Sequence, residues 1–396
     1  MNQIAARDQT SRFLWLFALA WAGGAIAYVP LLTILLPLRI VAMSGDDSVR
    51  VLGIITFFGA IAASSGSILF GWLSDLTGRR RPWILAGLVL SQTILVSIPL
   101  ATSPWAILGL IICWQLALNM LLGPLGAWAA DQVPRNRTGI LGGLMALSPA
   151  LGALSGVIVT FPKLAGPDAR LWLVAAMVTA CVLPAVLFVR NDSRTDEPFP
   201  VEQSRRSFAV TMWLARLLVQ IAEAALFAYL LLYFRSLDPL VEDSRVARLF
   251  SAVLAAAVPV AIFVGRIADR SARPARPLAI CALCSGAGLL GLVMASNIEQ
   301  ATLAYVWFGL ATTVFLSLHS GQTLLVLPSP QHRGRDLGLF NLTNTVPSLI
   351  MPWLTVILVP TRGFPALFAI LAVLAFASSA MLFRIQRLAV SPAKAD

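Results

Sequence analysis

Arg216, Gln220 and Glu223 stand at i, i+4 and i+7 inside an apolar run over 208–234, so a helix there carries all three on one face. An ionisable side chain at membrane depth costs at least ~2.5–3.5 kcal/mol, and is tolerated where it faces a cavity or a partner. Glu223 is near the middle of the run, too deep to reach an interface. Arg216 is about two turns from its start and can snorkel. A carboxyl beside a water-filled cavity binds and releases a proton as its surroundings change. Glu223 is therefore the candidate proton-carrying or ligand-contacting acid. The competing reading is a structural pair with Arg216 or with Gln115 on another helix.

Other polar residues gather on single helix faces. Gln115 and Asn119 are four apart; His319, Gln322 and Thr323 share a face; so do Asn341, Asn344, Thr345 and Ser348. Trp21, Gly24 and Tyr28 make a mixed aromatic and small face. Amides offer donors and acceptors and rings stack on sugar faces, a combination suited to a hydroxyl-rich ligand. The bland alternative is interhelical hydrogen bonding, worth ~0.6 kcal/mol per pair on average. A lone His319 is more often a helix-packing residue than a proton relay.

A second kind of chemistry sits between the apolar runs. Residues 71–82 carry Gly71, Asp75, Gly78, Arg79, Arg80, Arg81 and Pro82. A degraded copy with Gly265, Asp269, Arg273, Arg276 and Pro277 follows 194 residues later. A second pair of loops repeats as well: Asp131, Pro134, Arg137, Gly139 and Gly142 against Pro328, Arg333, Gly334, Asp336 and Gly338. Pro134 matches Pro328 at an offset of 194, and Arg137 and Gly142 match Arg333 and Gly338 at 196, which implies a two-residue insertion. Two loops repeating in register point to a duplicated chain, as in many membrane transporters.

Enzyme chemistry is not visible. There is no metal-ligand cluster, no phosphate-cradling glycine loop and no nucleophile–base pair, and the two histidines are His319 and His332. The four cysteines lie in apolar runs; Cys281 and Cys284 have CxxC spacing but no second ligand pair. No metal and no cofactor are expected, and the chain is not read as an enzyme.

These residues need membrane helices to position them. The chain has 396 residues, 58% hydrophobic and 12% charged, with a mean hydropathy of +0.84. A soluble domain has roughly twice that charge. Apolar runs long enough to cross a ~30 Å hydrocarbon core cover 13–38, 51–73, 82–101, 105–129, 139–161, 171–189, 208–234, 246–267, 278–296, 300–327, 337–359 and 364–384. The expected fold is an all-α membrane protein with twelve transmembrane helices in two six-helix halves, 1–189 and 208–396. The polar segment 190–207, with Pro198 and Pro200, is the expected cytoplasmic linker. The net charge of +11 is dispersed in short loops, which argues against a nucleic-acid partner. With the N-terminus placed in the cytoplasm, 20 of the 29 basic residues fall inside, 8 outside and Arg216 within a helix. That split puts both termini in the cytoplasm.

At this point the chain resembles the major facilitator superfamily. The signature between that family's second and third helices, G-x-x-x-D-x-x-G-R-[RK]-[RK], is matched by Gly71, Asp75, Gly78, Arg79, Arg80 and Arg81. The run Arg79–Leu85 and the run Asp336–Pro347 also look like the glycoside–pentoside–hexuronide and sucrose-type symporters. The resemblance implies alternating access between two halves, a central site near the midplane, a bilayer and a small-molecule substrate. It implies that Asp75 meets the N-terminus of the eleventh helix, around Asp336 and Leu337, and that Arg79 and Arg81 pair with Asp131. Together with Arg137, Gly265, Asp269 and Arg333 these residues form the expected cytoplasmic gate. The first helix lacks the acidic residue of sodium-coupled sugar symporters, so the proton is the expected coupling ion. The function expected is proton-coupled movement of a sugar or glycoside, or alternatively proton-antiport export of drugs or amphiphilic metabolites. The protein is expected to act as a multi-pass monomer in the cell (inner) membrane.

Overall fold

A computed structural model of the chain describes residues 2–161, 164, 166, 169–189, 202–271, 275–327 and 332–390. The described secondary structure is helical throughout: α1 (Asn2–Pro30), α2 (Leu36–Ser44), α3 (Ser48–Thr77), α4 (Arg80–Ser97), α5 (Pro104–Gln132), α6 (Thr138–Met145), α7 (Leu147–Thr160), α8 (Ala169–Phe188), α9 (Glu202–Leu237), α10 (Asp243–Arg270), α11 (Ala275–Met294), α12 (Ile298–Val326) and α13 (Arg333–Val390). A π-helical turn, Leu31–Leu35, joins α1 to α2 after Pro30. Gly363, at φ 72°, breaks α13 into two arms. Eleven helical stretches among the described residues are long and apolar enough to cross a membrane. The first arm of α13, expected as the eleventh of twelve crossings, is not among them. The expected linker 190–207 lies outside the described residues up to 201, and α9 begins at Glu202.

Local chemistry explains where the helices begin and end. Gly78 closes α3 in the left-handed region, φ 63°, where a residue with a Cβ is strained. Ser103 caps α5 by accepting from the Ala106 N–H at 3.2 Å, and Asn297 caps α12 by accepting from the Gln300 N–H at 2.9 Å. The two caps are 194 residues apart, a further trace of the repeat.

Contacts group the chain into two compact units. The first contains residues 1–133, 147–198 and 329–342. In it α3 and α4 pack on α5, and α7 and α8 pack on α1. Phe13 and Phe17 stack at 6.0 Å, and the Trp128 ring meets Phe13 edge-on. The second contains 134–146, 199–328 and 343–396. There α6 packs on α10 and α12, and α11 and α9 also pack on α12. Its core centres on Tyr233, whose ring lies 4.8 Å from Phe368 and whose hydroxyl donates to the Leu292 carbonyl at 2.9 Å. The first unit thus takes the start of a later helix, α13 up to residue 342, and the second takes α6 from earlier in the chain.

Candidate functional site

In the first unit the Asp75 carboxylate receives the backbone N–H groups of Gly334 and Arg335, both at 3.0 Å. These belong to the first turn of α13, where unpaired N–H groups and the helix dipole favour an anion. The helix begins three residues before the expected start at Asp336. Gly71 makes this approach possible: a Cβ there would strike the carbonyl of Gly334, and a Cβ on Gly334 would strike that of Gly71.

Arginines surround this contact, but not the expected ones. Arg80 pairs with Asp75 at 2.7 Å and with Asp131 at 3.1 Å, and donates to the Ser74 hydroxyl at 2.6 Å. Arg333 completes the group by pairing with the other oxygen of Asp131 at 3.0 Å. Two carboxylates and two guanidiniums are buried together. The expected pairing of Arg79 and Arg81 with Asp131 is therefore corrected. Arg79 is extended and exposed, and Arg81 lies over the Trp128 ring at 5.4 Å. In an extended stretch neighbouring side chains point opposite ways, so after the Gly78 turn Arg80 faces inward and Arg79 outward. That alternation was available in the sequence; Ser74, one residue before Asp75, carried no such signal.

The second unit repeats the contact. Asp269 accepts from the Gly139 N–H at 2.7 Å and the Ile140 N–H at 2.9 Å, at the start of α6. Gly265 meets the Gly139 carbonyl as Gly71 meets that of Gly334. Arg137 adds its positive charge to the same carboxylate. Gly139 and Gly334 are 195 apart, and so are Gly143 and Gly338, which pack against backbone of Ala261–Ile262 and Ser67–Ile68. The repeat of this loop therefore runs at 195, with one inserted residue rather than two. Arg333 corresponds to Thr138, not to Arg137.

A third cluster lies inside the second unit. Arg216 on α9 donates to the Leu316 carbonyl at 3.2 Å and the Ser320 hydroxyl at 2.9 Å on α12. On α13 it reaches the Thr343 hydroxyl at 3.0 Å and the Asn344 amide oxygen at 3.3 Å. His319 is fully buried beside it. Its Nε2 lies 2.9 Å from the Met212 carbonyl and must carry the proton; the Thr323 hydroxyl donates to the His319 carbonyl at 2.8 Å, leaving Nδ1 to accept from Arg216 at 3.5 Å. Both ring nitrogens are thus engaged in joining α9 to α12. One turn or more further along α9, the Gln220 amide donates to Glu223 at 2.5 Å, and the Gln220 oxygen is buried without a partner. Sequence reasoning brought Arg216, His319 and Asn344 forward; Thr343 and Ser320 were missed because hydroxyls are common on packed helices.

The remaining candidates are placed as follows. Gln322 is buried on α12 in the second unit. Gln115 and Asn119 are buried in the first unit, against Gly59 and Gly66 of α3. The Asn119 amide donates to the Gln115 carbonyl at 2.9 Å. Tyr28, 41% exposed, and Asn341, half-buried, also belong to the first unit. No group of three or more metal-ligating side chains occurs among the described residues.

A family model described as Major Facilitator Superfamily matches residues 14–328 and again 212–395. The chain belongs to the Major Facilitator Superfamily. It is a multi-pass membrane transporter rather than an enzyme. The second match begins within the second half, as a duplicated member of the superfamily requires. A multidrug resistance protein, MdtG, of Serratia proteamaculans (strain 568) is 25% identical over 339 residues, 80% of this chain and 79% of that protein. The human organic anion transporter MFSD10 (TETRAN) matches in structure with a TM-score of 0.73 at 14% identity, over 95% of this chain and 99% of that one. A bacterial homologue of the iron transporter ferroportin, in its outward-facing state, matches with the same TM-score, identity and coverage. At that identity the two structures speak for the superfamily fold alone.

Proposed function

We propose that this member of the superfamily is a proton-coupled secondary transporter working by alternating access. It crosses the cell membrane twelve times, the eleventh crossing being the first arm of α13, with both termini in the cytoplasm. The excess of arginine in the expected inside loops supports this orientation. The two halves are 1–189 and 208–396. The contacts made by Asp75 and by Asp269 are the cytoplasmic latches, which form and break as access alternates. Gly71, Gly78, Asp131, Arg137, Gly265 and Arg333 shape them.

Glu223 is the coupling acid. The observation that carries this is where the Arg216 donors go: to a carbonyl, two hydroxyls and an amide on α12 and α13. Glu223 keeps the Gln220 amide, bonded at its Oε2. A proton added at Oε1 leaves that bond intact, so the acid changes charge without repacking. Glu223→Gln in proteoliposomes should abolish accumulation driven by a pH gradient while retaining exchange at equal pH. Unchanged gradient-driven transport would sink this assignment.

For the substrate, the reading preferred is export of an amphiphilic organic solute against proton entry. The name of the Serratia relative supports it, and so does the commitment of the Gln115 and Asn119 amides to packing between α3 and α5. A second reading, import of a sugar or glycoside, draws on the exposed Asn344 amide beside Arg216 and the unpartnered Gln220 oxygen. A thermal-shift screen across sugars, sugar acids and cationic drugs separates them: stabilisation by sugars alone overturns the first.

A further inference from the structure

Away from the latches and the Arg216 cluster, a groove of about 810 Å³ runs between α4 and α8 in the first unit. Its walls are apolar except for Gln92, Thr93 and Thr179. Along α8 it extends from Trp172 to Phe188, sixteen residues or ~24 Å at 1.5 Å per residue, most of a ~30 Å hydrocarbon core.

Two observations mark it as more than a lipid-filled seam. The first is at mid-depth. Gln92 lies twelve residues, ~18 Å, beyond the start of α4. Ser91 donates its hydroxyl proton to the Leu88 carbonyl at 3.1 Å, so its oxygen can only accept, and it accepts from the Gln92 Nε2 at 3.0 Å. That fixes the amide and leaves Gln92 Oε1 enclosed with no hydrogen-bond partner. Hydrocarbon supplies no donor, and an unsatisfied carbonyl there costs several kcal/mol. Thr93 and Thr179 donate to the Val89 and Ala175 carbonyls at 2.9 and 2.8 Å. At this depth the Gln92 Oε1 is therefore an acceptor with no donor supplied to it. The second observation is at the end of α8, where the Arg12 guanidinium lies over the Phe188 ring at 5.6 Å. Arg12 is exposed at the groove's end. Thr179 is nine residues, ~13 Å, from Phe188.

We propose that this groove binds a single-chain anionic amphiphile from the cytoplasmic leaflet. Its anionic group rests on Arg12, its apolar body lies along α8, and a hydroxyl part-way along the body donates to Gln92. The site is separate from the Arg216–Glu223 cluster, so its failure leaves the transport reading untouched, and the reverse.

The test uses the full chain in phosphatidylcholine nanodiscs and native mass spectrometry, with 12-hydroxystearate, stearate and methyl 12-hydroxystearate as probes. One donor and one charge each missing predict a clear order. Stearate, lacking the donor, should bind about fivefold more weakly than 12-hydroxystearate. The uncharged methyl ester should also bind more weakly. Gln92→Leu should erase the advantage of the hydroxyl while retaining stearate, Arg12→Gln should erase the advantage of the free acid, and Ala180→Trp should block all three. Equal binding of 12-hydroxystearate and stearate by the unmodified chain overturns the proposal. So does equal binding of the acid and its methyl ester. These two comparisons need no variant, so a misfolded Ala180→Trp protein does not protect the proposal.

Discussion

The contacts of Asp75 and Asp269 share a backbone geometry and differ in their charges. Each carboxylate accepts two N–H groups from the first turn of a helix, and each rests on a glycine pair whose backbones touch. Around Asp75, Ser74, Arg80, Asp131 and Arg333 add a buried network. At the corresponding places of the second repeat the sequence has Ala268, Pro274, Leu325 and Thr138. The second contact is therefore made by the helix start, the glycine approach and the charge of Arg137, without a buried ionic network among the described residues. Around Asp75 the charges are an addition that ties α4 and the end of α5 to the contact.

The largest effect expected follows from that network. Asp131→Asn leaves Arg80 and Arg333 buried with Asp75 as the remaining carboxylate. Removing one partner of a buried ionic group is destabilising by ~3–5 kcal/mol. The variant should unfold at markedly lower temperature by fluorescence-monitored melting and should transport poorly. An unchanged melting temperature would mean that the network adds nothing beyond packing.

Next in size is the comparison of the two acids. Asp75→Asn keeps one acceptor for the helix start but loses the other and the negative charge, worth up to ~2 kcal/mol at a helix terminus in a partly buried setting, and also loses the ion pair with Arg80. Asp269→Asn likewise loses one acceptor and the charge, and with the charge the influence of Arg137. Initial transport rates should fall further for Asp75→Asn. Equal rates would show that the arginines do not strengthen the Asp75 contact.

A smaller and symmetric effect tests the shared geometry. A methyl group on Gly71 or on Gly265 meets a backbone carbonyl that cannot turn aside. Overpacking of this kind costs ~1–3 kcal/mol. Gly71→Ala and Gly265→Ala should lower the melting temperature by similar amounts, whatever the charges nearby. A large difference between them would locate the asymmetry in the backbone instead.

Much of this was legible in the sequence. Hydropathy places the eleven apolar helical stretches, and the 194-residue repeat places both acids. What escaped depends on direction rather than residue type. The start of α13 lies three residues before the expected one because Arg333 and Gly334 look like loop residues until Asp75 accepts the N–H groups of Gly334 and Arg335. The second loop was aligned on an arginine, Arg137 with Arg333, whereas the glycines set its register. The amides of Gln115 and Asn119 lie on one helix face, as the spacing required, but that face is covered by α3. Helical spacing specifies which side chains share a face and not what the face meets.

The smallest effect concerns the three consecutive arginines, which have the same charge and different surroundings. Arg80 is buried and engages Asp75, Asp131 and Ser74. Arg81 keeps its charge against Trp128, and Arg79 stands in the open after the left-handed turn at Gly78. Exposed charges of this kind contribute little to a fold. Arg79→Gln should therefore keep transport within about twofold of the unmodified protein, and Arg81→Gln, which can still cover the indole with its apolar stem, should fall between Arg79→Gln and Arg80→Gln. A severe defect in Arg79→Gln with normal folding would reverse the assignment, making the outward arginine the working member of the motif and Arg80 its structural support. Repeating the three assays in nanodiscs with and without anionic lipid separates these cases: Arg79 can act through a lipid headgroup, while the pairs made by Arg80 are sealed within the protein and should not respond.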